Sequence, residues 1–312
     1  MHRRDFLKFA TFSAALSVIG RWAGFAADTA PGSFPVYLTF DDGPTTQRDL
    51  SGPTTSVLDT LRAEQVPATF FLHGRAINRW EGPILVRMLA DGHSIGNHLW
   101  QQGLNTAREH PSLPLLAKQY IITEERIRSI LQATDEAALA KYLAQPKLFR
   151  RPGGSNQLSG FLDPRNFEAL AHAPYVWPYR DKLKWLNGVY DYSGWHVNGG
   201  DGITDLRIQP TTAAKMVTWI MKGGSGYPGV DSFLRAGIPP RRSIEAEAGL
   251  IILLHDADRV TDDALPEIIR QLRLRGAQFH ALPRPQDRPN SRTVGIGYQP
   301  TPGPPDQSQA TA

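Results

Sequence analysis

The chain has 312 residues, 41% hydrophobic and 21% charged, with a formal net charge of +4 and no cysteine. That composition excludes wholesale disorder, collagen and coiled coil, and the length can bury a full core. Lack of cysteine removes thiol nucleophiles, Cys-ligated zinc, iron–sulfur clusters and disulfides, which leaves carboxylate, imidazole, hydroxyl and metal chemistry.

The first segment reads as an address. Residues 3–8 are RRDFLK, followed by a mildly apolar stretch from Phe9 to Gly20 and small residues at Gly24 and Ala26. The stretch is shorter than the roughly twenty apolar residues that span a bilayer. The pattern resembles a twin-arginine export signal, which implies a mature protein starting near Ala27, exported folded and working in the periplasm or outside the cell, with no stable membrane insertion. Arg3, Arg4, Lys8 and Arg21 against Asp5 account for most of the net charge, so the rest of the chain gives no case for a nucleic-acid partner. Residues 27–285 are expected to form one domain, because no repeat or linker divides 35–282. Residues 286–312, rich in Pro and polar side chains, read as a disordered tail.

Within the body, short apolar runs alternate with helical patterns. Strands are expected at 36–40, 68–74, 94–98, 148–150 and 249–256, the last a continuous apolar run buried on both faces. Helices are expected over Thr54–Glu64, Gly82–Asp91, Thr123–Ala133 and 265–276. Residues Gly223–Pro240 read as a long loop able to serve as a substrate lid, and the aromatic-rich stretch 175–195 as either core or a surface for stacking sugar rings. This alternation predicts an α/β fold, a parallel sheet or barrel with helices outside and its chemistry at the strand C-terminal ends. At those ends stand Asp41 and Asp42, then His98, then Arg150, then His255 and Asp256. Two adjacent carboxylates on a turn point in different directions, so one can hold a metal while the other handles a proton.

TFDDGP at 39–44, GHSIGNH at 92–98, FRRPGG at 149–154 and LLHD at 253–256 together resemble, in order and spacing, the polysaccharide deacetylase family, the NodB-homology domain of carbohydrate esterase family four. The resemblance implies a distorted (β/α) barrel and a hydrolase that removes N-acetyl groups from a polysaccharide or oligosaccharide with a divalent metal, zinc first, with cobalt, manganese or nickel as alternatives. It implies Asp41 as the general base, Arg150 as its orienting partner, His255 as the acid that protonates the departing amine, and Asp201 as the group that tunes His255. It further implies Asp42 and His98 as metal ligands, the Gly153 N–H as an oxyanion donor, and Leu253 and Trp195 as walls of the substrate site.

Some positions depart from the family pattern. The second imidazole of its His-x-x-x-His motif would stand at 102, where this chain has Gln102, a neutral and weaker ligand; His110 could replace it only if its loop folds back. His93 reads as structural and His196 as a surface residue rather than a ligand. Gly153 stands where an aromatic is common, and in WHVNGGDG Asn198 and Gly202 replace an acid and a tryptophan. Two other readings therefore stay open: a metal-free, non-catalytic carbohydrate-binding relative, and a hydrolase of O-acetyl groups or other C–N bonds.

Overall fold

Val36, Leu38 and Phe40 alternate with Tyr37, Thr39 and Asp41 along the first strand, and this period of two sorts the residues onto two faces. The computed structural model describes residues 33–100, 112–153, 162–192, 194–201, 208–238, 249–257 and 259–282, all within one compact unit. The export segment, Gln102, His110, Gly202 and the proposed tail lie outside the described residues.

In chain order the elements are β1 (Phe34–Asp41), α1 (Pro53–Ala63), β2 (Thr69–Leu72), α2 (Gly82–Ala90), β3 (Ser94–Asn97), α3 (Leu113–Thr134), α4 (Glu136–Ala144), β4 (Lys147–Phe149) and α5 (Phe167–Ala171). There follow β5 (Val189–Asp191), β6 (Val197–Asn198), α6 (Ala213–Lys222), β7 (Gly223–Gly224), β8 (Tyr227–Pro228), α7 (Val230–Ala236), β9 (Leu250–His255), α8 (Arg259–Leu274) and β10 (Ala277–Phe279). The main sheet is parallel, in the order β5-β4-β3-β2-β1-β9-β6. β9 covers one edge of β1 from Val36 to Asp41, while the other edge is shared by β10 at Phe34–Val36 and β2 at Thr39–Asp41. The expected α/β architecture is thus present as a curled half-barrel; among the described residues the outermost strands β5 and β6 do not pair, so the curl is open rather than a closed ring.

The outer face of the curl carries Val36, Leu38, Phe40, Phe70, Leu72, Ile252 and Leu254, packed against Val57, Leu58 and Leu61 of α1 and Ile268, Ile269 and Leu272 of α8. Full burial of each such side chain contributes about 1.5–3 kcal/mol. Its inner face carries Tyr37, Phe71, Leu148, Tyr190, Tyr192 and Ile251, with Trp195 against them.

Several elements exceed the expectations. α3 starts ten residues before Thr123, at a Ser112–Leu113–Pro114 start that suits Pro in the first turn. α8 starts at Arg259, so Pro266 lies inside it rather than at its head. Residues 223–238 are not a lid loop: β7 and β8 form a hairpin, and α7 buries Val230 and Phe233 in the main core. The stretch 175–195 divides, with Tyr190 and Tyr192 buried, Tyr179 and Trp185 half-buried against a second core cluster, and Tyr175 and Trp177 exposed.

Candidate active site

Parallel pairing brings the C-terminal ends of β1, β2, β3, β4 and β9 to one level. Asp41 is in register with both Phe71 and His255. One residue beyond the last pairs, His98 N–H donates to Leu72 O (2.9 Å) and Arg150 N–H to Asn97 O (3.1 Å), which puts His73, His98 and Arg150 in a row just above the sheet.

Asp41 points into the curl and is buried, and Arg150 rises through the interior to meet it. The guanidinium donates through Nη1 to Asp41 Oδ1 (2.8 Å) and Thr39 Oγ1 (2.7 Å), and through Nε to Tyr192 O (2.9 Å), and it lies 4.3 Å from the centre of the Phe71 ring. Arg150 has no exposed surface, so its charge is matched by the carboxylate and fixed oxygens rather than by water.

Asp42 turns the other way because its backbone is left-handed, with φ of 74°, a conformation that costs a non-glycine residue about 1–3 kcal/mol. The turn is held from three sides. Gly43 O accepts from His73 N–H (3.0 Å), Thr54 Oγ1 accepts from Thr45 N–H (2.6 Å), and the same hydroxyl donates to Asp256 Oδ2 (2.7 Å). A Cβ at Gly43 would overlap the Asp256 carboxylate, so only glycine fits there without a shift. Asp256 is wholly buried, which pushes its carboxyl up to about 7.

Asp42 Oδ1 lies 2.9 Å from His73 Nε2 and 3.3 Å from His98 Nε2, with the two imidazole centres 4.6 Å apart. These three donors lie within 4.8 Å of one another, a spacing that can hold a metal ion. Burial would raise the Asp42 carboxyl, but without a metal, hydrogen bonds donated by the His73 and His98 rings in their protonated form, with His255 beyond, hold it well below the usual carboxylate range. The donor set fits a divalent cation. His98 Nδ1 faces Arg150 O at 2.7 Å, and a carbonyl can only accept, so this nitrogen carries a hydrogen and in the neutral ring Nε2 turns its lone pair to the carboxylate.

His255 stands on the opposite side. Its Nδ1 meets Asp201 Oδ1 at 2.9 Å, its backbone N–H donates to Asp201 Oδ2 (2.7 Å), and Thr261 Oγ1 donates to the same oxygen (2.6 Å). Its Nε2 is 3.9 Å from Asp42 Oδ2. Burial would lower the imidazole, but the Asp201 carboxylate, helped by Asp41 and Asp42, raises it to about 9.

The family model for polysaccharide deacetylase matches residues 28–161. Over those residues, less than half of its length, the chain is similar to the polysaccharide deacetylase family. A peptidoglycan-N-acetylglucosamine deacetylase of Bacillus cereus is 29% identical over 253 residues, 80% of this chain and 66% of that protein. Another, from Listeria monocytogenes, is 36% identical over 120 residues, 38% of this chain and 22% of that protein. This chain therefore spans less than two thirds of either relative. The solved structure of a Streptococcus mutans CE4 esterase, 24% identical, covers 80% of this chain and 86% of its own with a TM-score of 0.52, a likeness of fold.

Against the pattern of the polysaccharide deacetylase family, the residues read from sequence sort as follows. Asp41, Asp42, His98, Arg150, Asp201 and His255 converge at one end of the sheet. Leu253 is buried in β9, in register with Thr39 of β1 and Asn198 of β6. Gly153 is exposed with φ of 73°, a left-handed value that suits glycine. Trp195 packs on the inner-face cluster with Tyr190 and Tyr192. Asn198 serves its own turn, accepting from Gly200 N–H (2.8 Å). His93 is structural as expected: its Nδ1 accepts Ala68 N–H (3.1 Å), and burial lowers it to about 4. His196 is buried rather than a surface residue, and its Nδ1 accepts Ile251 N–H (3.0 Å), so it ties the start of β6 to β9. Sequence reasoning passed over His73. It sits two residues past Phe71 on the inner face, immediately before Gly74, and that alternation was the available signal.

Proposed function

We propose that the chain hydrolyses the N-acetyl groups of an acetylated glycan, with a divalent metal, zinc first, held by Asp42 and His98. The observation that carries this reading is the opposition across one strand end of a carboxylate locked by Arg150 and an imidazole raised by Asp201. When bound, the metal supplies Lewis-acid polarisation of the acetyl carbonyl and makes water more acidic.

The remaining work falls to the chain's own groups. Asp41, fixed by the Arg150 Nη1 bond, takes a proton from the attacking water as the water oxygen bonds to the acetyl carbon. His255 is protonated at neutral pH and gives that proton to the sugar nitrogen as the C–N bond breaks, so an amine and acetate leave. Asp201 holds the Nδ1 side of His255, which aims Nε2 at the reacting centre. The Gly153 N–H is assigned to the oxyanion, and Leu253 and Trp195 to the pocket walls.

The test is acetate release from N-acetylglucosamine oligomers and peptidoglycan by the purified chain. Activity should vanish with a chelator and return with added metal. Glycan binding without acetate release under any of zinc, cobalt, manganese or nickel would favour the non-catalytic reading instead.

Residues 1–26 are assigned to export by the twin-arginine route, residues 27–285 to the catalytic domain and 286–312 to a tail; the Arg3–Arg4 pair supports the first assignment. Replacing both arginines with lysine should retain the protein in the cytoplasm, and unchanged export would refute the assignment.

A further inference from the structure

We infer that His73 is the third protein ligand of the metal, so that the end of β2 supplies the imidazole that the family pattern would place at position 102. This inference rests on the proposed metal-dependent reading and names its ligand set.

The first support is an unmet lone pair. His73 is 6% exposed, and among the described residues its Nε2 has no hydrogen-bond partner although it lies 2.9 Å from Asp42 Oδ1. Its Nδ1 faces Leu99 O at 3.4 Å, and because a carbonyl cannot donate, the hydrogen of the neutral ring belongs on Nδ1. Nε2 then confronts a carboxylate oxygen, acceptor against acceptor, in a buried place. His98 repeats the arrangement, with Nδ1 on Arg150 O and Nε2 3.3 Å from the same Asp42 oxygen. With both rings neutral, two lone pairs and a carboxylate converge as a cation's donor set, and outer hydrogen bonds from Nδ1 to carbonyls are the usual orienting device for ligating histidines.

The second support is rigidity. His73 N–H bonds Gly43 O and Gly74 N–H bonds Leu99 O (2.9 Å), so the backbone of His73 is tied to both the Asp42 turn and the His98 segment. The three ligands are therefore fixed by the ladder of β1, β2 and β3. The sequence supplies the third support, since Gln102 stands where the second imidazole of the family pattern is missing.

The competing account is an ordinary ion pair, with His73 protonated on both nitrogens and bonded to Asp42. Cobalt(II) titration of the purified full chain, followed by absorption and by metal analysis after gel filtration, separates the two without any assay of turnover. The wild type should hold one cobalt per chain. His73→Gln should weaken binding at least about tenfold, the scale of a lost supporting interaction at such sites, while Gln102→Ala should leave it unchanged. His73→Cys gives a direct signature: the natural chain has no cysteine, so a near-ultraviolet sulfur-to-cobalt charge-transfer band can come only from a thiolate at 73. Circular dichroism of each variant checks folding, and if His73→Gln does not fold the band still decides. Unchanged affinity in folded His73→Gln, or no band in cobalt-loaded His73→Cys, overturns the inference and leaves the metal-dependent reading standing. A wild type that binds no divalent metal overturns both.

Discussion

His73 and His98 stand on one side of the strand ends and His255 on the other, and what separates them is the partner of Nδ1. The first two face backbone carbonyls, Leu99 O and Arg150 O, which are dipoles without net charge. The third faces the Asp201 carboxylate. A carbonyl fixes the tautomer and leaves Nε2 with its lone pair, whereas a buried carboxylate favours the doubly protonated ring and leaves Nε2 with a proton to give. One side chain thus becomes a candidate ligand or a candidate acid through the atom behind it, not through its distance from Asp42.

The largest way to break this division is to remove the base while sparing the ligands. Asp41→Asn should lower kcat by roughly 10²–10⁴-fold, with metal stoichiometry unchanged by elemental analysis. Equal activity in the variant would mean that the two carboxylates have been given each other's tasks.

A smaller change erases the asymmetry between the histidines. In metal-free Asp201→Asn, the His255 imidazole should fall from about 9 towards its ordinary 6.5, measured by NMR titration of the ring protons. The sign for stability follows from the folded value lying above the unfolded one. The charged contact contributes fully below pH 6.5 and is lost as pH rises through about 9. The thermal-stability gap between wild type and variant should therefore be widest at pH 6 and narrow towards pH 10. A gap independent of pH would mean that Asp201 acts only through its bonds to the His255 N–H and the Thr261 hydroxyl.

The smallest expected effect sharpens the ligand side. Gly43→Ala pushes a methyl group into the Asp256 carboxylate behind the Asp42 turn. It should cost about 1–3 kcal/mol of stability, the usual penalty for overpacking, read as a lowered Tm, and it should weaken metal binding by displacing Asp42. An unchanged Tm would show that Asp256 can move aside.

Much of this was legible in the sequence. The run VYLTFDDGP marks a strand and its stop, GLIILLHD marks the buried strand beside it, and parallel topology then brings Asp41, His98, Arg150 and His255 together. Other elements were hidden for physical reasons. α7 buries Val230 and Phe233, but the glycines before it gave 223–240 the composition of a loop. Those glycines instead form the β7–β8 hairpin, where Gly223 and Gly226 have φ of 83° and 86°. α3 is twice the expected length because its first half mixes buried Leu116, Tyr120 and Ile121 with polar neighbours, which blurs the helical period. His73 was missed because a histidine ending an apolar strand looks like part of it until the partner across the turn is known.

The Arg150–Asp41 pair changes what the persistence of these two residues can be taken to mean. Arg150 fills the inside of the curled sheet, and losing either member leaves a buried charge uncompensated, at about 3–5 kcal/mol. A descendant that had abandoned chemistry would still be under pressure to keep both, simply to stay folded. Their presence is then poor testimony about a living reaction. The better witness is a side chain that neutralises no buried guanidinium, and in this protein that is His73, whose buried Nε2 meets the Asp42 carboxylate at 2.9 Å and hydrogen-bonds no other group among the described residues.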